Sequence, residues 1–242
     1  MASKATSSRS AAAVKQPPGD LEALAAYALR YVRPGYTLGL GTGRAASAFI
    51  TALGRKRMAV RGVPTSKASE ALARSLGIEV VSLGDVKSID VDFDGADEVD
   101  PRLNLIKGYG GALLREKVVA RASRRRIILV GSEKLVARLG DRGRLPVEVV
   151  PFAVAPVMRE IARLGLRPRI RMTPQGDEAL TDNGNLLLDC ATRSIANPAR
   201  LERDLAAIAG VAGSGLFVGI ADIVLVATPQ GAVNVMKRRS RA

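Results

Sequence analysis

Asp94, Asp97, Lys107 and Glu116 fall in one stretch of this chain, DGADEVDPRLNLIKGYGGALLREK from Asp94 to Lys117, with glycines at positions 95, 108, 110 and 111. Asp94-Gly95-Ala96-Asp97 ends a strand-like segment in a turn and so can aim two carboxylates into one cavity, although Asp-Gly is also an ordinary turn pair. Lys107, followed by Gly108, Tyr109, Gly110 and Gly111, can set a cation and several backbone N–H donors around a charged oxygen. Glu116 stands on the first turns of the next helix. Flanked by Arg115 and Lys117, it would in isolation read as a solvated salt-bridge residue; the neighbouring aspartates and lysine make it a candidate.

The chain has no histidine, which removes the commonest general base and the commonest neutral metal ligand. Proton transfer is left to carboxylates, lysines and hydroxyls. Cys190 is the single cysteine, so His/Cys zinc sites, Cys-His nucleophile pairs and internal disulfides are excluded, and a metal would need oxygen ligands alone. A carboxylate base, a lysine and a phosphate cradle suit removal of a proton next to the carbonyl of a small sugar phosphate. The cation and N–H donors stabilise the enediolate, and no redox cofactor or metal is required.

The surrounding elements say how these groups are positioned. Asp20 is a candidate N-cap for a helix carrying Leu21, Leu24, Ala28 and Tyr31 on one face, stopped by Pro34-Gly35. The strand TLGLG then runs into Gly41-Thr42-Gly43 and the helix AASAFITAL. A glycine-rich turn between strand and helix is an anion site, because helix-start N–H groups point outward with partial positive charge. MAVRGV, IEVVSL, IDVDFD and RIILVG read as strands alternating with the helices KASEALARSLG and LLREKVVARA. That alternation implies an α/β fold with a doubly wound, mostly parallel sheet, its ligands beyond the carboxyl ends of the strands, where Thr42, Ser66, Asp94 and Gly131 fall.

After Leu145 the rhythm changes to strand PVEVV, helix APVMREIARLG, strand RPRIRM, a TDNGN turn, strand LLLDC, helix PARLERDLAAIAG and strand AGSGLFVG. This βαββαβ order predicts an inserted ferredoxin-like α+β domain with Asn183-Gly184 as its hairpin turn. ADIVLVATPQGAVNVM reads as a further strand and short helix returning to the first domain. The expected division is a disordered basic tail over 1–19, a Rossmann-like catalytic domain over 20–144 plus 220–242, and the ferredoxin-like domain over 145–219.

The formal charge of +14, from 37 Lys and Arg against 23 Asp and Glu, would favour polyanions. Its clusters, Arg121 with Arg124 to Arg126 and the tail Lys237, Arg238, Arg239 and Arg241, lack the aromatic interleaving of a base-stacking groove. A solvated surface is expected, with no nucleic-acid partner. No apolar run approaches the roughly 20 residues of a membrane span, and a single cysteine suits a reducing compartment, so no membrane partner and a cytoplasmic location are expected. Residues 1–19 have no acidic residue before Asp20 and resemble a transit peptide in composition, although a disordered tail is the expectation.

GLGTG, the TS dipeptide, DGADEVD, LIKGYGGALLREK, LPVEVVP and TDNGN occur in the order found in the ribose-5-phosphate isomerase type A family, and the resemblance runs from about Leu21 to Met236. It implies metal-free interconversion of D-ribose 5-phosphate and D-ribulose 5-phosphate through an enediolate, without a cofactor, in a homodimer or homotetramer. In the resemblance, Glu116 matches the proton acceptor, and Asp94 and Asp97, with Gly95 and Ala96 between them, match the active-site aspartates. Lys107 and the backbone of Gly108, Tyr109 and Gly110 match the substrate loop, Lys134 a substrate-binding lysine, and Thr42 and Gly43 the start of the other ligand loop. Three positions depart from the family's pattern. Arg44 and Ala45 replace a Ser-Thr pair, which puts a guanidinium where the phosphate is expected; Tyr109 replaces a glycine and must point away or narrow the pocket; and GSE precedes Lys134 in place of D-x-S.

Two other functions draw on some of the same residues. The effector domain of a DeoR-type regulator would be preceded by a helix-turn-helix domain of roughly 50 to 60 residues, and only the first 19 precede the first expected helix. A CoA-transferase would use Glu116 as a covalent nucleophile and would need a long acyl-CoA groove, which nothing after Leu145 suggests.

Overall fold

The computed structural model describes residues 18–238, with side chains from residue 21 onward. The basic tail expected over 1–19 falls outside them except for its last two positions, as do Arg239 and Arg241. In chain order the main elements are α1 (Pro18–Ala28), β1 (Thr37–Leu40), α2 (Arg44–Lys56), β2 (Arg61–Pro64), α3 (Lys67–Ser75), β3 (Glu79–Val80), β4 (Ile89–Gly95), β5 (Glu98–Val99), β6 (Leu105–Ile106), α4 (Leu113–Ala122) and β7 (Ser123–Gly131). There follow β8 (Arg144–Val149), α5 (Val154–Arg163), β9 (Arg167–Ile170), β10 (Leu186–Ala191), α6 (Pro198–Ala206), β11 (Val211–Ser214), β12 (Leu216–Phe217), β13 (Ile223–Ala227) and β14 (Val233–Lys237).

Seven strands form the large sheet in the order β14-β13-β7-β4-β1-β2-β3, parallel except for the edge strand β14. Strand sequences such as IVLVA in β13 are buried on both faces, as a sheet covered by helices requires. The chain winds outward from β1 to β3 and then returns to β4 on the other side of β1. That reversal leaves a crevice beyond the carboxyl ends of β1 and β4, the place where open α/β sheets bind ligands. Thr42 lies just past β1 and Asp94 lies in the last turn of pleat of β4, so both reach this crevice. Phe49 of α2 stacks on Phe93 of β4 at 4.1 Å between ring centroids, fixing the helix that follows the glycine turn.

A four-stranded antiparallel sheet, β11-β8-β10-β9, carries α5 and α6 in βαββαβ order, the ferredoxin-like arrangement. Its core is built from Leu145, Val147, Val149, Val157, Ile161, Leu188, Cys190 and Leu205. Glu148, wholly buried on β8, ties this sheet to the rest of the molecule. Its Oε1 accepts from Thr181 Oγ1 at 3.0 Å, Asn183 Nδ2 at 3.0 Å and Asn185 Nδ2 at 2.9 Å, which knots the TDNGN segment into shape. From that knot Asp182 Oδ2 accepts the Lys67 N–H at the start of α3 at 2.7 Å. Arg115, one residue before Glu116, donates to Asn183 Oδ1 at 2.7 Å and to the Asp182 carbonyl at 3.0 Å.

Three expectations are corrected. α1 begins at Pro18, so Asp20 lies inside its first turn and is not its N-cap. The segment AGSGLFVG is not one strand: β11 ends at Ser214, and after Gly215 the chain leaves the small sheet to pair β12 with β6 in a separate three-stranded sheet, β12-β6-β5. Gly215 makes the change: its own N–H donates to the Pro146 carbonyl on β8 and its carbonyl accepts the Lys107 N–H just past β6, so it hands the chain from one ladder to the other. Last, Val233 to Lys237 forms an antiparallel hairpin with β13 rather than a short helix, with Gly231 at φ +79° in the turn.

Candidate active site

The crevice at the switch point is lined by Thr42, Gly43, Arg44, Ala45, Gly95, Ala96, Asp97, Lys107, Gly108, Gly110, Glu116 and Lys134. Each of these is a residue singled out from sequence. At one end, the first turn of α2 opens on the cavity behind Gly43, which adopts φ +102° as its N-cap, and Arg44 and Ala45 supply the first helical positions. A helix start with an exposed guanidinium beside it is a receptor for a phosphate. Thr42 Oγ1 bonds to Thr65 Oγ1 and Ser66 Oγ, both at 2.8 Å, so the TS dipeptide steadies this wall from behind.

At the other end stands the Lys107 ammonium, 3.0 Å from Asp94 Oδ2 and 3.2 Å from Glu116 Oε2, and donating to the Gly95 carbonyl at 2.6 Å. All three ionisable side chains are almost fully buried. Glu116 is only 4% exposed because α4 turns it inward with Leu113, Val119 and Ala120, while Arg115 and Lys117 face outward to other partners. Gly108 brings the loop this close: at φ +101°, any Cβ on it would lie 2.8 Å from Leu113 Cδ2.

Burial decides the protonation of this group. It pushes Glu116 up to about 8, with the Asp94 charge adding to the rise and Lys107 opposing it. Asp94 is likewise raised by burial, against the pull of Lys107. Burial alone would lower Lys107, yet the Asp94 and Glu116 charges hold it above the ordinary lysine value. Lys107 is therefore a fixed cation, and Glu116 a carboxyl whose proton affinity is drawn towards neutrality. That is the range in which a general base works best near neutral pH.

Two expected residues fall elsewhere. Asp94 does not line the cavity; it lies behind the wall, its Oδ1 accepting the N–H groups of Thr42 at 3.1 Å and Gly95 at 2.7 Å, and it acts on the cavity through Lys107. Tyr109 contributes only backbone to the glycine loop, its N–H donating to Asp97 Oδ2 at 2.9 Å. Its ring points away, lies under the Arg144 guanidinium at 3.8 Å and donates its hydroxyl to the Arg144 carbonyl, so the cavity is not narrowed. Sequence reasoning missed Leu21, Leu129, Val130 and Glu133 as lining residues. The strand-end rule already pointed to Gly131; nothing in the sequence marks Leu21.

Asp92 was also unforeseen. It is 1% exposed on β4, its Oδ1 has no hydrogen-bond partner, and its carboxyl is pushed up to about 8 by burial and then by Asp94. Among the described residues no cluster of three or more His, Cys, Asp or Glu side chains is placed to hold a metal ion, and no helix is long and apolar enough to cross a membrane.

A doubly wound sheet with a buried carboxylate–lysine pair opposite an open helix start defines an α/β enzyme with a site suited to a small anionic substrate. The family model described as ribose 5-phosphate isomerase A (phosphoriboisomerase A) matches residues 61–231. The chain is 44% identical over 216 residues to ribose-5-phosphate isomerase A of Roseiflexus sp. strain RS-1, covering 87% of this chain and 93% of that protein. It superposes with a TM-score of 0.87 and 39% identity on a D-ribose-5-phosphate isomerase in complex with phospho-erythronic acid, over 90% of this chain and 98% of the other. The corresponding values for ribose 5 phosphate isomerase A from Neisseria gonorrhoeae are 0.86 and 35%, over 93% and 99%. This chain belongs to the ribose 5-phosphate isomerase A family, and it is an isomerase.

Proposed function

We propose that this enzyme interconverts D-ribose 5-phosphate and D-ribulose 5-phosphate, with Glu116 as the group that carries the proton between the two carbons. Starting from the aldose, ionised Glu116 takes the C2 proton, the electron pair forms the C1–C2 double bond, and the C1 carbonyl oxygen becomes the enediolate oxygen facing Lys107. The proton returns to C1 as the C2 oxygen becomes the ketone. Lys107 and the loop N–H donors stabilise the anion, Asp97 moves protons among the sugar oxygens and assists ring opening, and Asp94 holds Lys107 in place. Arg44, the start of α2 and Lys134 hold the phosphate. No step in this scheme calls for a metal or a redox cofactor.

The observation that carries this reading is the 3.2 Å approach of Lys107 Nζ to Glu116 Oε2 inside a closed wall, opposite an open helix start. A further part of the proposal is an inserted ferredoxin-like unit; the βαββαβ sheet supports it over Arg144–Ser214 rather than over the expected 145–219, because Leu216 and Phe217 pair with β6. Cytoplasmic location is proposed from the single cysteine, Cys190, buried with its thiol pushed up to about 12 by burial and suited to a reducing compartment. A homodimer or homotetramer is proposed from the family resemblance, and light scattering checks it. Purified protein, treated with excess EDTA and given ribose 5-phosphate alone, is expected to form ketose. Failure without added cofactor, or recovery only with magnesium, would overturn the scheme, and CoA-dependent acyl transfer or binding without turnover would favour a transferase or a sensor.

A further inference from the structure

Arg171 reaches the substrate loop from the small sheet, just past β9. Its Nη1 donates to two consecutive carbonyls, Gly108 O at 3.1 Å and Tyr109 O at 3.0 Å. The rest of the guanidinium forks onto Asp189 of β10, with Nε to Oδ2 at 2.9 Å and Nη2 to Oδ1 at 2.6 Å. Arg144 stands 3.5 Å from the same carboxylate and covers the Tyr109 ring. The arginine is thus fixed by a planar two-point grip, the arrangement a guanidinium makes and an ammonium does not.

Fixing these carbonyls fixes more than the carbonyls. Peptide units are planar, and no described bond in this chain is cis, so each N–H points opposite to the C=O of its own unit. In the first unit the Gly108 carbonyl faces Arg171 and the Tyr109 N–H faces Asp97 Oδ2. In the second the Tyr109 carbonyl faces Arg171, so the Gly110 N–H is turned away from the arginine, and Gly110 itself lines the cavity. No protein acceptor among the described residues takes that N–H. A positive charge on the carbonyl side also polarises both amides, strengthening them as donors.

Resting on the isomerase reading, we propose that Arg171, locked by Asp189, is a positioning residue that aims the Gly110 amide at the anionic oxygen of the reacting sugar and holds the Tyr109 amide on Asp97. It never touches substrate. Its role differs from that of a structural ion pair, because losing the orientation of a donor to a developing anion lowers kcat in folded protein. One misaimed donor of this kind costs about 10² to 10³-fold.

The test uses the full chain and three substitutions, Arg171→Lys, Arg171→Gln and Asp189→Asn, with steady-state kinetics and calorimetric binding of phospho-erythronic acid and inorganic phosphate. In folded Arg171 variants kcat is expected to fall by about 10²-fold, with Lys giving no rescue, while affinity for inorganic phosphate, held at α2, changes less than about twofold. Phospho-erythronic acid, whose carboxylate stands in for the enediolate, is expected to lose affinity. Asp189→Asn is expected to show a smaller loss of the same kind. A kcat within about threefold of the parent in any folded Arg171 variant, or equal losses for both ligands, overturns the proposal. Should the variants not fold, the parent decides: saturating phospho-erythronic acid must shift the ¹⁵N–¹H resonance of Gly110, and an unmoved resonance overturns it. A parent that does not isomerise ribose 5-phosphate sinks the isomerase reading instead, so the two failures are separable.

Discussion

Gly41 and Asp94 share one volume: a Cβ built on Gly41 would lie 2.2 Å from Asp94 Oδ1 and 2.6 Å from Asp94 Cα. Two residues earlier Gly39 stands in the same relation to Asp92, whose Oδ1 would lie 2.4 Å from its Cβ. Side chains two apart on a strand share a face, so bare positions on β1 and just past its end make room for two carboxyls stacked along β4. Gly41→Ala is therefore expected to destabilise the protein by about 1–3 kcal/mol, the usual cost of overfilling a packed site, and to displace the carboxylate that holds Lys107. Thermal unfolding and kcat check this; an alanine variant with parental stability and turnover would show that Asp94 is free to move aside.

Glu116→Gln keeps the shape of the base and removes its ability to take a proton. A fall in kcat of about 10² to 10⁴-fold with a smaller change in KM is expected. Because the parent carboxyl sits at about 8, kcat/KM should rise with pH towards that region as the group ionises. Turnover within a few-fold of the parent, or a profile flat from pH 6 to 9, would transfer the role to another residue.

Asp92 makes a statement about stability. Its carboxyl is raised from 3.8 to about 8 by burial, so the folded state holds a proton that the unfolded chain releases. The contribution is fully present below 3.8 and is lost as pH rises to about 8. Asp92→Asn cannot titrate, and its melting temperature should decline less between pH 4 and 8 than that of the parent. Parallel curves for the two proteins would mean that Asp92 is ionised in the fold.

Arg44 is exposed at the first position of α2, on the rim of the cavity. Its proposed partner is the non-reacting phosphate, so Arg44→Ala should raise KM about tenfold, the scale of one charge-assisted hydrogen bond, with kcat little changed. An unchanged KM removes the arginine from the site.

Much of this arrangement was legible before any coordinates. The alternation of strands with amphipathic helices places Thr42 and Asp94 at neighbouring strand ends, and the doubly wound order follows from that rhythm. Glu116 is different. Its charged neighbours look like a solvated face, and only α4's rotation, which sends Arg115 to Asn183 and Lys117 to Glu202, turns the acid inward. Asp92 escaped notice because alternation in IDVDFD implies one wet face, whereas both faces of β4 are covered. Gly215 hid a change of sheet inside what read as one strand, since a local pattern cannot say which partner a strand will choose. Arg171 carried no sequence signal: its partners, Gly108 and Tyr109, lie 63 and 62 residues away.

The Glu148 knot bears on how such a chain can be recombined. Three donors from one short turn converge on a single carboxylate oxygen, and from that point the chain reaches out to moor both α3 and α4, the helix that carries Glu116. A foreign small sheet grafted into this scaffold would have to import the anchoring acid and its turn together. Chimeras joined between Glu148 and Thr181 would keep every residue of the cavity and still cast off the helix that carries Glu116.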